Sequence, residues 1–256
     1  MVRTFVLLLL SLSLLGATSP PPHGRADLCV FRNGLFLCDT AHDGGTSEMR
    51  FRFGRAGDVP FLVPSSIDGP ALPCVFRDHR FLCVPGERSL VAPAGAQPLM
   101  GDVDGDLAQG GTVDPCYRQG RVWTCLVFEE PVGFRQISFT FGSGSGIGLL
   151  GDLDGDGLAD PCMFRRGQFV CEMFRPRLGR FVQASFDLGP EFNRLGGGTP
   201  LLGDVDGDGR ADPCLYAHGR LICGIFSPGQ QRPTRTVEET FGVEGDIPVL
   251  GNVDGL

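Results

Sequence analysis

Short apolar stretches separated by glycine, proline and aspartate recur along the chain after residue 23. In the last part of the sequence they cover residues 199–205, 212–217, 220–226 and 234–241. Each stretch is apolar, β-branched or aromatic in part and is bounded by Gly, Pro or Asp, which is typical of short strands. No stretch has a convincing helical period. The pattern therefore predicts an all-β chain.

The predicted strands group into five repeats, each marked by a pair of cysteines nine positions apart. The pairs are Cys29 and Cys38, Cys74 and Cys83, Cys116 and Cys125, Cys162 and Cys171, and Cys214 and Cys223. Successive first cysteines are 45, 42, 46 and 52 residues apart. A period near 45 with four strands per unit is typical of a β-propeller blade. We therefore predict one five-bladed β-propeller of four-stranded blades over residues 23–256, with repeats at about 24–60, 61–98, 99–146, 147–198 and 199–256.

Turn-forming residues lie midway between the two cysteines of each pair, as in Asn33-Gly34. Asn-Gly favours a two-residue hairpin turn. Such a turn places the paired cysteines opposite each other on a rung without backbone hydrogen bonds, where Cα atoms are about 4.5 Å apart. A disulfide accepts that separation. The spacing predicts five hairpin disulfides, with pairing between neighbouring blades as the alternative.

Two nearly identical aspartate loops, 151–162 and 203–214, are the main candidates for chemistry. Carboxylates at loop positions 1, 3 and 5, with glycine at position 6, suit Ca²⁺, which takes six to eight oxygen ligands. The loops contain no His or thiolate, which disfavours zinc. The predicted ligands are Asp152, Asp154, Asp156, the Leu158 carbonyl and Asp160 in the first loop, and Asp204, Asp206, Asp208, the Arg210 carbonyl and Asp212 in the second.

A third loop is a weaker calcium candidate, formed by Asp102, Asp104, Asp106 and Asp114. It has Leu107 in place of the glycine and carries a four-residue insertion before its last aspartate. The corresponding stretch at 64–68 has lost the carboxylate pattern and is predicted to hold no metal. The sequence thus predicts two calcium ions, with up to two further ones at weaker sites.

Both ends of the chain carry parts of the same aspartate motif. Residues 24–29 match 209–214, and residues 250–255 match the front half of the motif. A ring explains this match, because a C-terminal strand that becomes the inner strand of the first blade leaves no free edge. We expect a closed monomer, with an open arc that dimerises as the alternative. The closure would bring together Asn252, Asp254, Asp27 and the α-carboxylate of Leu256 as a further calcium site, or else form an empty hydrogen-bonded seam.

The repeats resemble a known family through their short motifs. Phe-Gly at 53–54 and 241–242 is followed by Gly-Asp-x-Pro at 57–60 and 245–248, and each aspartate loop leads into an aromatic-rich hairpin. Over residues 24–256 this is similar to the integrin-type FG-GAP repeat in its bacterial, VCBS-type form. The resemblance implies a propeller with calcium in the loop between the first two strands of a blade. Five blades and paired cysteines depart from that family, which usually has seven blades.

The start of the chain and its cysteines indicate export. Residues 1–22 are predicted to form a signal peptide, because a basic start and an apolar run at 5–15 precede small residues. Ten cysteines fit an oxidising compartment, so a secreted, periplasmic or cell-surface location is expected. No second long apolar run follows, and we expect no membrane span. A net charge of -8 disfavours nucleic acid as a partner.

Eight arginines lie near the hairpin turns that should face away from the aspartate loops. They are Arg32, Arg77, Arg80, Arg118, Arg121, Arg165, Arg166 and Arg220. Clustered arginines suit carboxylate, sulfate or phosphate groups. The alternative is that an arginine repeated in each unit packs or caps its blade.

No catalytic constellation is evident in the sequence, which has no serine-nucleophile elbow and only two tyrosines. The pattern favours a non-catalytic binding or adhesion module for an extracellular glycan or protein. A polysaccharide lyase or hydrolase on the same scaffold is one alternative, since one fold can host many functions. A passive envelope scaffold is the other.

Overall fold

The computed structural model describes residues 24–66, 69–84, 86–129, 133–175, 180–193, 197–227 and 229–256. The predicted signal peptide lies outside these residues. Within them the chain forms twenty β-strands, a single helical turn at Pro190–Asn193 and a 3-10 turn at Leu107–Gln109. The predicted all-β class is confirmed. No helix among the described residues has the length and apolar character needed to cross a membrane.

The strands form five antiparallel four-stranded sheets, which are the blades. Blade 1 contains β1 (Asp27–Arg32), β2 (Leu35–Asp39) and β3 (Met49–Arg52), with β20 (Ile247–Gly251) as its innermost strand. Blade 2 contains β4 (Val59–Pro64), β5 (Ala71–Arg77), β6 (Arg80–Cys83) and β7 (Gly86–Val91). Blade 3 contains β8 (Gln97–Gly101), β9 (Asp114–Gln119), β10 (Val122–Glu129) and β11 (Gly133–Thr140). Blade 4 contains β12 (Ile147–Gly151), β13 (Asp160–Arg165), β14 (Gln168–Arg175) and β15 (Arg180–Asp187). Blade 5 contains β16 (Thr199–Gly203), β17 (Asp212–Ala217), β18 (Arg220–Ile225) and β19 (Arg235–Thr240).

The five innermost strands close a ring. β20, β4, β8, β12 and β16 contact one another in that cyclic order, and β16 contacts β20 again. β20 pairs with β1 in the register Asp27↔Gly251 to Phe31↔Ile247, so the last strand completes the first blade. A buried cluster joins Leu28 and Val30 of blade 1 to Leu221 of blade 5 across this closure. The five-bladed propeller and its predicted mode of closure are confirmed.

Glycine at the end of an innermost strand allows neighbouring blades to approach closely. A Cβ atom at Gly251 would lie 2.7 Å from the Leu62 Cβ and 3.1 Å from the Ala71 Cβ of blade 2. The equivalent glycines of blades 3, 4 and 5 meet the leucine and alanine of the next blade in the same way. Blade 2 has Val63 at this position, paired with Leu72. The first glycine of the aspartate motif is therefore required by packing around the axis.

All five predicted disulfides are present, each joining the second and third strands of one blade. Their Cα–Cα distances are 4.0 Å or 4.1 Å. The turn at Asn33-Gly34 has φ of 52° and 85°, as a primed hairpin turn requires. Hairpin geometry therefore sets the pairing, and the alternative of bridges between neighbouring blades is excluded.

Candidate functional site

The aspartate loops of blades 4 and 5 fold around the side chain of their first aspartate. In blade 4 the two oxygens of Asp152 accept hydrogen bonds from the Gly155 and Gly157 amides at 2.7 and 2.8 Å. The Asp160 carboxylate accepts one from the Leu153 amide at 3.0 Å. Blade 5 repeats these bonds with Asp204 and Asp212. The glycines have φ between 76° and 88°, a backbone region that other residues rarely adopt.

Each of these loops brings three carboxylates together. Oxygens of Asp152, Asp154 and Asp160 lie within 4.8 Å of one another, and so do those of Asp204, Asp206 and Asp212. The fifth-position aspartates lie outside these groups of three. Asp156 accepts the Leu158 amide at 2.9 Å, and Asp208 accepts the Arg210 amide at 3.0 Å and its guanidinium. The clusters could hold metal ions.

One oxygen in the blade 5 cluster has no hydrogen-bond partner among the residues that the structure describes. Asp206 Oδ2 accepts a hydrogen bond from Arg235 at 2.8 Å, whereas Asp206 Oδ1 is buried without such a partner. A buried acceptor of this kind costs free energy unless it is satisfied. A cation bound between Asp204, Asp206 and Asp212 would satisfy it.

Burial raises the pKa of these carboxyl groups. Loss of solvent, followed by repulsion from neighbouring aspartates, raises the pKa of Asp160 and of Asp212 to about 8. The pKa values of Asp152 and Asp204 are raised for the same reasons, although loop amides oppose the shift. The fold therefore concentrates negative charge that a cation would neutralise.

The blade 3 loop forms a different cluster, made of Asp102, Asp104 and Asp106. Its predicted insertion forms the 3-10 turn, after which the Thr112 amide donates to Asp106 at 3.0 Å. Asp114 lies outside the cluster and accepts the Val103 amide at 2.9 Å. Burial raises the pKa of Asp114 to about 8 and that of Asp102 to about 6.

The two chain ends together build one further loop at the closure. The Val253 amide donates to Asp27 at 2.7 Å, and the Gly255 amide donates to the Asn252 side chain at 2.7 Å. The Leu256 amide donates to Asp254 at 3.0 Å. The first two bonds repeat those of blade 4, with Asn252 in place of its first aspartate. The third repeats the bond from the Asp106 amide to Asp104 in blade 3. Burial raises the pKa of Asp27 to about 6. In blade 2, by contrast, Leu72 stands where the other loops have their last aspartate.

Backbone hydrogen bonds link the loops of neighbouring blades. The Ala159 amide of blade 4 donates to the Asp102 carbonyl of blade 3 at 2.6 Å. The same bond joins Ala211 to the Asp152 carbonyl, and Ala26 to the Asp204 carbonyl, each at 2.6 Å. The loops surround a central cavity of about 600 Å³ whose lining includes Leu62, Met100, Leu150, Leu202 and Leu250, one from each innermost strand. Each of these loops is therefore hydrogen-bonded directly to the next blade.

The sequence reasoning missed a polar group beside the closure. His42 Nδ1 lies 3.0 Å from Glu239 Oε1 of blade 5, and its Nε2 lies 3.5 Å from Asp27 Oδ1. Hydrogen bonding to Glu239 raises the pKa of His42. Asp39, Asp43 and Glu48 form another acidic cluster in the same segment. The run Asp39 to Gly45 signals a polar turn, but no local pattern relates it to Glu239, 197 residues away from His42.

Several of the arginines singled out from the sequence contact groups of their own fold. Arg32 binds Asp246 through two hydrogen bonds of 2.7 and 2.8 Å, and Arg77 binds Asp58 at 2.7 Å. Arg118 is buried, donates to Gln97 at 3.1 Å and lies 5.9 Å from the centre of the Trp123 ring. Arg220 pairs with Glu238. Arg32 and Arg220 are exposed despite these contacts, and the other exposed members are Arg80, Arg121, Arg165 and Arg166. These contacts support a packing role for Arg32, Arg77 and Arg118, and anion binding by this face stays a prediction.

A cleft of about 360 Å³ opens between blades 4 and 5, beside their aspartate loops. One side is formed by residues 182–186 of β15, and the other by residues 208, 210–213, 226, 227 and 229–231. Its apolar lining includes Met173, Val182 and Phe226, and the Phe226 ring meets Phe186 edge-on at 4.8 Å. Its polar lining includes Asp154, Asp208, Arg210, Ser227, Gln230 and Gln231.

These features define a disulfide-bonded, five-bladed β-propeller with acidic loops able to hold metal ions. No protein-family model and no curated protein sequence matches the chain. Among solved structures, an Agrocybe aegerita lectin that recognises non-reducing terminal N-acetylglucosamine is similar, with 16% identity and a TM-score of 0.47 over 89% of this chain and 68% of that one. A Bacteroides caccae protein of unknown function has 15% identity and a TM-score of 0.45 over 83% and 73%.

Proposed function

We propose that the protein is an exported, calcium-stabilised binding module for an extracellular glycan, and that it has no catalytic activity. The observation that carries the proposal is the set of acidic loops, in which buried carboxylates crowd together at the junctions between blades. A divalent cation in each loop balances that charge and keeps the loop, and the binding surface beside it, in a fixed conformation. The resemblance of the repeats to calcium-binding propeller repeats supports the same proposal.

The chemistry of the donors favours calcium. Every side-chain ligand in the three loop clusters is a carboxylate, and hard oxygen donors are those that Ca²⁺ prefers. The unsatisfied Asp206 Oδ1 lies in one of these clusters. Calcium supplies charge neutralisation and rigidity when bound. Blades 4 and 5 provide the two strongest sites, and the blade 3 loop and the closure loop provide up to two weaker ones.

The roles of the acidic side chains favour binding over catalysis. Asp152, Asp160, Asp204 and Asp212 accept hydrogen bonds from amides of their own loops, which fixes them as structural groups. Export is supported by five disulfides, which are typical of proteins in oxidising compartments.

The experiment is a glycan array probed with the disulfide-bonded protein, with calcium and after chelation, together with calcium titration by calorimetry. We expect at least two calcium ions per chain and glycan binding that is lost on chelation. A reducing-sugar assay on the bound glycans should show no turnover. Absence of calcium binding, or release of reducing ends, would contradict the proposal.

A further inference from the structure

The cleft between blades 4 and 5 has the chemistry of a sugar-binding site. We propose that it binds a single neutral pyranose unit of a glycan, with Phe226 against the apolar face of the ring and the side-chain amides of Gln230 and Gln231 on its hydroxyls. This inference rests on the proposed function, whose ligand it locates and specifies.

The shape of the cleft follows from the strand edge on one side. The Asp187 amide points outward from the free edge of β15 and donates to the Gln231 carbonyl at 2.9 Å. This bond holds the loop that contains Gln230 and Gln231 against the end of β15. Backbone groups of alternate residues in a strand point the same way. The amides and carbonyls of Ser185 and Gln183 therefore also point out of the edge, and both residues line the cleft. They offer fixed donors and acceptors for hydroxyl groups.

The remaining lining supplies both surfaces that a pyranose needs. Phe226 is partly buried and its ring is held by Phe186, so it presents an aromatic surface that costs little ordering entropy. Gln230 and Gln231 are exposed on a loop whose turn is closed by a hydrogen bond from the Gln230 amide to the Ser227 carbonyl at 3.0 Å. Pockets for small molecules commonly combine an apolar wall with a few placed polar groups.

The charge of the lining selects against acidic sugars. Asp154, Asp208 and Asp212 all line the cleft. A bound Ca²⁺ does not remove the repulsion, because each cluster of three carboxylates to which Asp154 and Asp212 belong keeps one excess negative charge. Arg210, the one cation among the described residues that line the cleft, is already paired with Asp208. A uronate, sialate or sulfated unit would place a further negative charge beside these carboxylates, which is unfavourable unless a positive group meets it. A neutral ring meets no such repulsion.

The closure junction shows what distinguishes this cleft. Ser227 and His42 both lie four residues after the second cysteine of their blades, and Phe186 and Glu239 occupy the same register on the outer strands. Between blades 5 and 1, His42 reaches across to Glu239 at 3.0 Å. Between blades 4 and 5 the smaller Ser227 leaves the corresponding space open. Of these two junctions, we therefore assign a sugar site only to the one between blades 4 and 5.

Calorimetry on the calcium-loaded protein tests the site. The probes are the neutral trisaccharides chitotriose, mannotriose and galactotriose, with trigalacturonic acid as the acidic counterpart. We expect one neutral trisaccharide to bind with a stoichiometry of one and the acidic one not to bind. Phe226→Ala should weaken binding at least tenfold, and Gln230→Ala several-fold.

Phe128→Ala is the matched control. Phe128 also lies three residues after the second cysteine of its blade and meets Phe134 edge-on at 5.2 Å, but it is on blade 3. It should leave affinity unchanged, and far-ultraviolet circular dichroism should show that both variants are folded. If glycan binding survives Phe226→Ala and Gln230→Ala, the site is wrong while the proposed function stands. Binding of trigalacturonic acid alone, or of none of the three neutral trisaccharides, would overturn the inference.

Discussion

The raised pKa values of the loop aspartates make a quantitative prediction about stability without calcium. The carboxyl groups of Asp114, Asp160 and Asp212 have a pKa of about 8, against an ordinary value of 3.8. Between about pH 4 and pH 8, these carboxyl groups keep their protons in the folded, metal-free protein but have lost them in the unfolded chain. Its free energy of unfolding must therefore fall as the pH rises from about 4 to about 8.

Each such proton changes the free energy of unfolding by about 1.4 kcal/mol per pH unit. Three groups give an upper bound of about 4 kcal/mol per pH unit. A domain of this size loses roughly 2–4 °C in melting temperature per kcal/mol. The metal-free protein should thus lose up to roughly 8–16 °C per pH unit. Since domains have only about 5–15 kcal/mol of stability in all, a loss of this kind should leave the metal-free fold markedly less stable near neutral pH than the calcium-bound fold.

The assay is thermal unfolding followed by circular dichroism between pH 5 and 8, in metal-free buffer and with calcium. With calcium the carboxylates stay ionised in the folded state, so the melting temperature should not fall with pH and the difference between the two curves should widen. The double variant Asp160→Asn with Asp212→Asn should flatten the metal-free curve. Asp78→Asn, a change at a side chain that is 81% exposed on the other face, should not. A metal-free melting temperature that is constant or rises with pH would refute the reasoning.

Three further predictions concern packing, disulfides and the closure. Gly251→Ala should destabilise the fold by about 1–3 kcal/mol because its Cβ overlaps Leu62, whereas Gly144→Ala, which meets nothing within 4 Å, should be neutral in urea unfolding; equal midpoints would count against the close packing. The ten cysteines should resist reductant until denaturant is added, since their side chains are buried, and thiol titration of the native protein checks this; rapid native reduction would be the contrary result. Asp27→Ala should lower the calcium stoichiometry by one and loosen blade 1, with Asp78→Ala as the control, and an unchanged stoichiometry would show that the closure loop binds no calcium.

The architecture was predictable because its determinants are local and repeated. Cysteines nine apart across a two-residue turn lie opposite each other in one hairpin, and the structure pairs Cys214 with Cys223 as expected. The predicted strand 212–217 coincides with β17 (Asp212–Ala217). The two matching half-motifs predicted that β20 would pair with β1. In each case a short-range geometric constraint occurs in several copies, so the pattern is readable without tertiary information.

The arrangement within the site was less predictable because it depends on competing contacts. Sequence spacing treats Asp156 and Asp154 alike, but the Leu158 amide holds Asp156 away from the cluster. The arginines gave a similar ambiguity. Arg32 and Arg165 follow the same pattern and both are exposed, but only the structure shows that Asp246, 214 residues away, binds Arg32. The cleft combines β15 with two loops of the next blade. Whether it stays open depends on the residue four positions after the second cysteine of that blade, which is Ser227 here and His42 at the closure.

The two blade junctions also differ in what they must do for the fold. Blades 4 and 5 are consecutive in the chain, so a cleft between them costs apolar contact but does not release either blade. Blade 1 and blade 5 are joined by pairing of β20 with β1 and by side-chain contacts, since the chain closes there. His42, Glu239 and Asp27 fill that junction with polar contacts that reach across both blades. A binding cleft placed at the closure would remove contacts that hold the ring. The same repeat scaffold therefore favours ligand binding at the junction of blades 4 and 5, and polar contacts between blades at the junction of blades 5 and 1, where the ring closes.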